Sequence, residues 1–460
     1  MTGGATIWLR EGAAAIALAA PSGPASSQDA GGVNANLSVS QGLVTSSDDG
    51  TFGRTDLGFN LSSVTRTQDF QLQIDSGIEE RFDDGFDTEF EDPRINLSYG
   101  LESRQSALTV LARYRRSDVD ELGQGDILLS DAFSDDPVPD DPLSDVLVLE
   151  DGKRERAGIT LGYAFGREAR FGGEFNTSYD TVTYTETSSP DLVDLARFGA
   201  DLTLRFEITP RITATLGYDF NETERTGLGR DVRNTQLRAG ADVIFSRTLS
   251  GAVSIGLQTV ESTNPATGFV QDEDGVVFVL NLRQERPNGE LTFNLDSELT
   301  DAGRESNLSV GTSFDTRSGG AFSGRIGLTV DDDGNTNPLY QVTYSDSLRY
   351  SSYSVSLNQG LTTSDLGQNA LNTRLGLTYD RELSATTTLQ SGVGYQTTDF
   401  SGSDGDTARL DVTVGLAREL TEDWSVSSRY TFSIRDGDQR DRATENELFV
   451  GLETNFGWRP

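Results

Sequence analysis

The C-terminal stretch Glu445–Pro460, ENELFVGLETNFGWRP, alternates apolar and polar residues and carries two aromatic residues near its end. A period of two is the pattern of a β-strand, in which successive side chains point to opposite faces. The preceding stretch, Trp424–Ile434, has the same form and is predicted to pair with it in a hairpin. The apolar face of these two strands consists of Leu448, Val450, Leu452, Phe456 and Trp458, together with Trp424, Val426, Tyr430, Phe432 and Ile434.

The same alternation begins near Val33 and recurs to the end of the chain. It predicts about 22 strands (about 20–22) of roughly ten residues each, the length that a tilted membrane-spanning strand needs. Nothing else in the chain can cover so many apolar faces, so lipid is the expected cover. A barrel with a lipid-facing outside and a wet inside also fits a hydrophobic content of only 35%. We therefore predict an all-β fold, namely a transmembrane antiparallel up-and-down β-barrel.

The composition excludes several functions. The chain has 460 residues, a net charge of −36, no Cys and no His. Without His, it lacks the Ser-His-Asp triad and His-assisted metal hydrolysis, so we do not expect an enzyme. We identify no cofactor and no metal site, and the excess of acid argues against nucleic acid as a partner. The stretch Asp331–Asn335 has the composition of a calcium loop without its spacing, and we interpret it as a hairpin turn.

The connections between the predicted strands alternate in kind. Short turns such as Thr209–Arg211 and Leu420–Asp423 alternate with longer acidic loops such as Glu79–Pro93 and Val260–Asp274. Barrels of bacterial outer membranes have this pattern, with short turns in the periplasm and long loops outside. Aromatic residues fall at both ends of the strands, as two membrane interfaces would select. An even number of strands then places both termini on the periplasmic side.

With this architecture and its aromatic C-terminal strand, the chain from Val33 to Trp458 resembles the Gram-negative outer-membrane β-barrels, and more loosely the putative β-barrel porins. The resemblance implies an outer-membrane location, contact with lipid and lipopolysaccharide, and insertion by the barrel-assembly machinery. TonB-dependent transporters share the strand number, but they carry a plug domain before the barrel. Here only a few residues separate the predicted signal from the first strand, so we expect no plug domain.

The predicted domain organisation has three parts. Residues 1–27 are predicted to form a signal peptide, with Arg10 as its positive charge and Ala13–Ala20 as its apolar segment. Residues 28–32 are predicted to form a short periplasmic segment, and residues 33–458 the outer-membrane barrel. The barrel contains a long acidic extracellular loop at residues 118–153.

Polar residues opposite the lipid-facing side are predicted to line the lumen. They are interpreted either as a charged lane that orients ions or sugars, or as charge pairs that keep a wide lumen hydrated. The predicted lining residues are Arg113, Arg115, Arg205, Arg238, Arg325, Arg374, Arg409, Arg429, Asp201, Glu207, Asp219 and Asp242. The acidic loop is interpreted either as a constriction inside the barrel mouth, as in porins, or as a surface lid or disordered loop. The predicted constriction residues are Asp126, Asp131, Asp135, Asp136, Asp140 and Asp141.

The function expected from these features is passive diffusion of small hydrophilic solutes or ions through a porin-like channel that prefers cations. Two alternatives stay open. One is an export or surface-assembly barrel for an envelope polysaccharide or another polymer. The other is a non-conducting structural or adhesive barrel, whose lumen would be blocked by its own side chains.

Overall fold

The computed structural model describes residues 32–47, 50–81, 87–119, 152–187, 192–227, 229–264, 267–300, 303–332, 334–363, 369–400, 406–421, 423–437 and 440–458. The predicted signal peptide lies outside these ranges, and so does residue range 120–151 with every predicted constriction residue. Within the described ranges, no helix is long and apolar enough to cross a membrane.

The described residues form one sheet of 22 strands. Along each strand, apolar residues on one face alternate with polar residues on the other, which is the pattern of a pleated, half-buried surface. The strands are β1 (Val33–Ser46), β2 (Gly50–Val64), β3 (Gln68–Arg81), β4 (Asp87–Glu102), β5 (Ser106–Asp118), β6 (Lys153–Phe165), β7 (Phe171–Thr185), β8 (Leu195–Thr209), β9 (Ile212–Arg225), β10 (Asp231–Ile244), β11 (Leu249–Asn264), β12 (Phe269–Arg286), β13 (Gly289–Thr300), β14 (Gly303–Asp315), β15 (Ala321–Val330), β16 (Thr336–Leu348), β17 (Ser351–Thr363), β18 (Asn369–Ser384), β19 (Thr387–Phe400), β20 (Thr407–Glu419), β21 (Trp424–Gly437) and β22 (Arg440–Trp458).

The sheet closes on itself. Each strand pairs antiparallel with its neighbour in the chain, and β1 also pairs with β22 along Ala35↔Trp458 to Ser46↔Glu447. A closed ring leaves no strand edge with unpaired backbone groups, which is the condition for a sheet to cross a lipid bilayer. The predicted all-β, antiparallel barrel of 22 strands is therefore confirmed.

The apolar face of the ring is its outer face. Side chains diverge on the convex side of a closed sheet and converge on its concave side. On β11, the apolar residues Val253, Ile255 and Leu257 are more than half exposed. Polar side chains of the opposite face, such as Thr398 and Arg409, are fully buried. A barrel with an exposed apolar outside is an outer-membrane β-barrel, as predicted.

Aromatic rings gather at the rim that carries the short turns. The ring centroids of Phe171 and Phe206 are 4.8 Å apart, and those of Phe314 and Phe322 are also 4.8 Å apart. Such ring pairs on the outer face form the aromatic girdle that outer-membrane barrels place at a membrane interface. By the same rule the short-turn rim, where β1 begins and β22 ends, faces the periplasm.

Several of the predicted long loops are mostly strand. The stretch Val260–Asp274 was expected to be a loop, but β11 continues to Asn264 and β12 starts at Phe269. The reason is that polarity marks the end of the lipid layer and not the end of the sheet. Above the apolar band, the outward residues Thr259 and Asp274 are polar and their side chains are hydrogen-bonded at 2.6 Å. The hairpins therefore stand above the membrane on the side opposite the short turns.

The closing pair of strands contains two glycines that face each other on the inner face. Gly42 on β1 pairs with Gly451 on β22, and the ring of Phe449 lies over both. A Cβ on Gly42 would lie 2.6 Å from Phe449 Cε2 and 2.8 Å from the Cα of Gly451. Side chains at these positions would therefore displace Phe449 or separate the two strands.

The replacement Gly42→Ala is expected to destabilise the closed barrel by about 1–3 kcal/mol, because overpacking a tight contact costs about that much. Gly217→Ala is the matched control, since a Cβ on this inner-wall glycine would have no heavy atom closer than 4.0 Å. The measurement is the urea concentration at which the heat-modifiable folded band is lost on gel electrophoresis. Equal midpoints for the two variants would show that the seam glycines are not required for closure.

Candidate functional site

All the residues predicted to line the lumen lie on the inner face. Strand register fixes this, because residues that pair across neighbouring strands point to the same side of the sheet. Asp201 on β8, for example, pairs with Asp219 on β9, on the face opposite the outward Leu202. The same placement holds for Arg113, Arg115, Arg205, Arg238, Arg325, Arg374, Arg409, Arg429, Glu207 and Asp242. A role for these residues in the passage of a solute stays a prediction.

Three arginines stand side by side on the inner wall near the long-loop rim. Arg94 on β4 pairs with Arg115 on β5, which pairs with Arg156 on β6. We call these three residues the arginine row. Neighbouring strands are about 4.8 Å apart, so the Cα atoms of the row span roughly 10 Å of wall. Like charges directly opposite each other are destabilising, and an anionic group would stabilise such an arrangement.

Two more arginines extend this charge along the strands. Arg113 lies two residues from Arg115 on β5, and its Nη2 is 2.9 Å from Asp180 Oδ1. Arg154 lies two residues from Arg156 on β6, where it is buried with its guanidinium 5.8 Å from the ring centroid of Tyr184. The cation–π contact and the ion pair fix these two side chains at the border of the arginine row.

A glycine allows the ion pair between Arg113 and Asp180 to form. Gly158 on β6 pairs with Arg113 on one side and with Asp180 on the other. A Cβ at this position would lie 3.2 Å from Arg113 Nε and would overlap the Asp180 carboxylate. Because Gly158 has no side chain, the ion pair between Arg113 on β5 and Asp180 on β7 can form across β6.

A second group of arginines lies on β18 to β21. Arg374 pairs with Gln396, Gln396 pairs with Arg409, and Arg409 pairs with Arg435. The group occupies the same long-loop end of the inner wall as the arginine row. Like the row, it comes from separate strands that only the register brings side by side.

Acidic residues neutralise this second group. Arg409 Nε lies 2.7 Å from Asp411 Oδ2, and Ser433 Oγ donates a hydrogen bond of 2.7 Å to Asp411 Oδ1. Arg435 Nη2 lies 3.0 Å from Glu445 Oε2. The Arg409–Asp411 pair is buried, and a buried pair with extra hydrogen bonds is typical of a structural network. We therefore assign this group to the wall. The arginine row also has an acidic neighbour, because Asp75 on β3 pairs with Arg94, and we take it as the candidate site because its three arginines lie directly side by side.

The remaining predicted residues are spread over the barrel. Arg238 donates two hydrogen bonds to Asp219, of 2.9 and 3.2 Å. Asp201 accepts one of 3.1 Å from Asn176. Arg205 lies at the periplasmic end, where its Nη2 donates to the carbonyl oxygen of Arg167 at 3.3 Å. Four more are separate from the arginine row: Arg325, Arg429, Glu207 and Asp242. The structure therefore does not assemble them into one charged lane.

Two members of the arginine row and two arginines beside the sites described above were not predicted from the sequence. Arg94, Arg154, Arg156 and Arg435 all lie within a few residues of stretches that were interpreted as loops. In each case the alternation of inward and outward residues runs without a break along the chain, from the arginine into the rest of its strand. That continuous period of two is the signal that would have identified them.

The inner wall near the long-loop rim is packed. Val44 on β1, Val182 on β7, Val277 on β12 and Thr398 on β19 are at most 1% exposed. These small inward side chains are therefore covered by their neighbours at this level of the wall.

The stretch Asp331–Asn335 is a turn, as predicted. The backbone N of Asn335 donates to Asp331 Oδ1 at 2.7 Å, and Gly334 adopts a positive φ of 81°. An aspartate that hydrogen-bonds the backbone a few residues on is a common turn former. Across the described residues, no three His, Cys, Asp or Glu side chains are placed to hold a metal ion.

No protein-family model matches the chain, and no curated protein matches it. Solved structures do share its fold. The ferric-catecholate import receptor Fiu from E. coli K12 matches over 93% of this chain and 82% of its own, with a TM-score of 0.57 and 10% identity. The copper transporter OprC matches over 94% and 82%, with a TM-score of 0.56 and 10% identity. The FrpB iron transporter from Neisseria meningitidis matches over 93% and 82%, with a TM-score of 0.55 and 8% identity.

These comparisons correct the expected function. The structures that share this barrel are named as an import receptor and as transporters, and none of the three is named as a porin. The expectation of a passive, cation-preferring porin is therefore wrong. The two alternatives, an export or surface-assembly barrel and a non-conducting barrel, find no support either. The comparisons agree with an outer-membrane β-barrel.

Other expectations stay predictions. The described residues begin at residue 32, so the expected absence of a plug domain is not confirmed. The division into signal peptide, periplasmic segment and barrel is likewise a prediction, and so is the use of the barrel-assembly machinery.

Proposed function

We propose that this barrel is an outer-membrane receptor that takes up an anionic metal chelate and first binds it at the arginine row. The observation that carries the proposal is the alignment of Arg94, Arg115 and Arg156 across three strands of the inner wall. The alignment lies near the rim that faces the outside, where an incoming ligand would first meet the wall.

The residue type supports an anionic ligand. A guanidinium is always charged, and its planar fork of donors suits carboxylate, catecholate or phosphate oxygens. A row roughly 10 Å long exceeds the size of one carboxylate, because it spans two inter-strand spacings. The ligand that fits is therefore a compact molecule with several anionic oxygens.

The metal part of the proposal comes from the shared fold. Fiu is named as a ferric-catecholate import receptor, and a ferric complex of catecholates is anionic. A bare copper ion, as a copper transporter would carry, fits this chain poorly. Copper prefers imidazole and sulfur ligands, whereas the chain has no His, no Cys and one Met. A chelate that brings its own metal ligands removes this difficulty, since the wall then needs to recognise only the charge.

We further propose that uptake uses energy from a periplasmic partner of the TonB type. The support for this part of the proposal is the shared barrel fold of the import receptor Fiu and the transporter FrpB. A receptor of this kind concentrates a scarce ligand, and transport against a gradient requires a coupled energy source. TonB-dependent transporters also have a barrel of 22 strands.

The test is uptake of a radioactive iron–catecholate complex by cells that lack catecholate receptors of their own and express this chain. We expect uptake that stops when a protonophore collapses the proton-motive force. A neutral iron chelate of similar size is the matched control and should not be taken up. Uptake that ignores the protonophore would exclude the energised partner. Uptake that is equal for both chelates would exclude selection by the arginine row, and no uptake of either would exclude the receptor function.

A further inference from the structure

The end of the β13–β14 hairpin leaves the barrel wall near the long-loop rim. Pairing between β12 and β13 stops at Phe278↔Ser297, although β12 continues to Phe269. Beyond that point β13 pairs only with β14, as in Leu299↔Arg304. The last residues of this hairpin have therefore separated from the strand that precedes them in the ring.

The separated end lies on the inner side of the wall. Gln258 is an inward residue of β11, and its Nε2 donates to the carbonyl oxygen of Leu299 at 2.7 Å. The backbone N of Leu299 donates to Gln258 Oε1 at 2.9 Å. Leu299 belongs to β13, so these bonds reach across β12. The residue of β12 that pairs with Gln258 is Gly275, on the inner face.

The missing side chain at Gly275 makes this crossing possible. A Cβ there would lie 3.1 Å from Leu299 Cδ1 and would overlap the guanidinium of Arg304. Arg304 Nη1 instead donates to the carbonyl oxygen of Val276 at 2.9 Å and to Ser297 Oγ at 3.0 Å. The hairpin end is thus held against the wall by specific polar contacts from both of its strands.

We propose that Gln258 is a positioning residue that holds the end of the β13–β14 hairpin inside the barrel, where this end narrows the lumen. We call the segment from Ser297 to Thr300, with Arg304, the inner shelf. Gln258 is suited to the role because its amide can donate to one backbone group and accept from another, as the backbone of a neighbouring strand would. The second N–H of its Nε2 donates to Asn234 Oδ1 at 3.0 Å. Gln258 therefore replaces the ladder partner that β13 loses when it separates from β12.

The physical consequence of losing Gln258 is clear. Leu299 and Gln258 are both buried, so removing the amide would leave a buried backbone N–H and a buried carbonyl oxygen of Leu299 without their partners. Both groups regain hydrogen bonds if the shelf swings away from the wall into water. The proposal concerns the position of the shelf and goes beyond the proposed function, because it does not depend on any ligand.

The experiment uses the absence of Cys in the chain, which makes a single introduced thiol an unambiguous reporter. Val277, on the inner face of β12 two residues from Gly275, is replaced by Cys. Its reaction rate with a bulky, membrane-impermeant maleimide is then measured on the folded barrel. We expect Gln258→Ala to raise this rate by about tenfold or more, since each net hydrogen bond contributes about 0.5–1.5 kcal/mol.

Two controls isolate the shelf. Gln236→Ala removes the glutamine that pairs with Gln258 on β10, and it should leave the rate at Val277→Cys unchanged. A second reporter, Val182→Cys, is equally buried on β7, and Gln258→Ala should leave its rate unchanged. A rise at both reporters would indicate general loosening and would overturn the proposal.

Gly275→Val provides an independent test. Its side chain would push Leu299 and Arg304 of the shelf away from the wall, whereas the amide of Gln258 stays in the sequence. It should raise the labelling rate of Val277→Cys as Gln258→Ala does. Heat-modifiable migration on gel electrophoresis identifies the folded barrel in every sample. An unchanged rate in both folded variants would overturn the proposal.

Discussion

Replacing Arg115 and Arg156 by glutamate is expected to weaken the binding of a ferric catecholate by at least about 100-fold. A charge-assisted hydrogen bond contributes about 1.5–3 kcal/mol, and 1.4 kcal/mol corresponds to a factor of ten in affinity. The double variant loses two such contacts and also places two repelling carboxylates in the arginine row. The measurement is titration calorimetry on the purified barrel in detergent.

Two matched variants separate the row from the net charge. Arg325→Glu with Arg429→Glu changes the charge by the same amount on inner-wall strands away from the row, and it should leave the affinity nearly unchanged. Arg115→Lys with Arg156→Lys keeps the charge but removes the planar fork, so we expect an intermediate loss. If the distant pair weakens binding as strongly as the row does, then the ligand responds only to the overall field of the lumen.

The second large effect concerns stability. Asp411→Ala is expected to lower the free energy of unfolding by about 3–5 kcal/mol, because it leaves a buried charge uncompensated. The side chains of Arg409 and Asp411 are 1% and 3% exposed, and Ser433 also bonds to the same carboxylate. Urea titration of the folded barrel, followed by loss of heat-modifiable migration, measures the change.

The chain contains a close control for this pair. Arg54 and Asp56 on β2 are also two positions apart, and Arg54 Nε lies 2.8 Å from Asp56 Oδ1. Their side chains, however, are 29% and 40% exposed. Asp56→Ala should therefore cost only about 0.2–1 kcal/mol, as exposed pairs do. Replacing Arg409 and Asp411 together by Met and Leu should recover most of the stability. Equal losses for Asp411→Ala and Asp56→Ala would show that burial does not control the effect.

Most of the fold was predictable because the period of two is a local property of the sequence. The outward positions Leu448, Val450 and Leu452 show the apolar face in the last strand alone, and the same test repeated along the chain gives the strand number. The ends of the strands were not predictable in this way. Residues such as Thr259 and Asp274 have loop-like polarity but lie in strands, since they stand above the lipid.

The arginine row was only partly predictable because it depends on register. Arg115 was identified from its parity, but its position between Arg94 and Arg156 follows from the registers of β4 with β5 and of β5 with β6. The inner shelf was not predictable at all, since it requires Gln258 and Leu299 to meet across a third strand. The expectation of a porin failed for a related reason: parity shows which face is inside, and it does not show how that inside is filled.

The seam between the first and last strands has a consequence for how the protein is made. Ala35 meets Trp458, about 420 residues later in the chain, so the ring cannot close until β22 has been synthesised. Contacts between residues so far apart form slowly, because the intervening chain must first be ordered. Until then β1 and β22 would each expose a row of unpaired backbone groups, which invites pairing with other chains. The newly made polypeptide thus has to be kept from pairing with other copies of the same chain until it reaches the membrane.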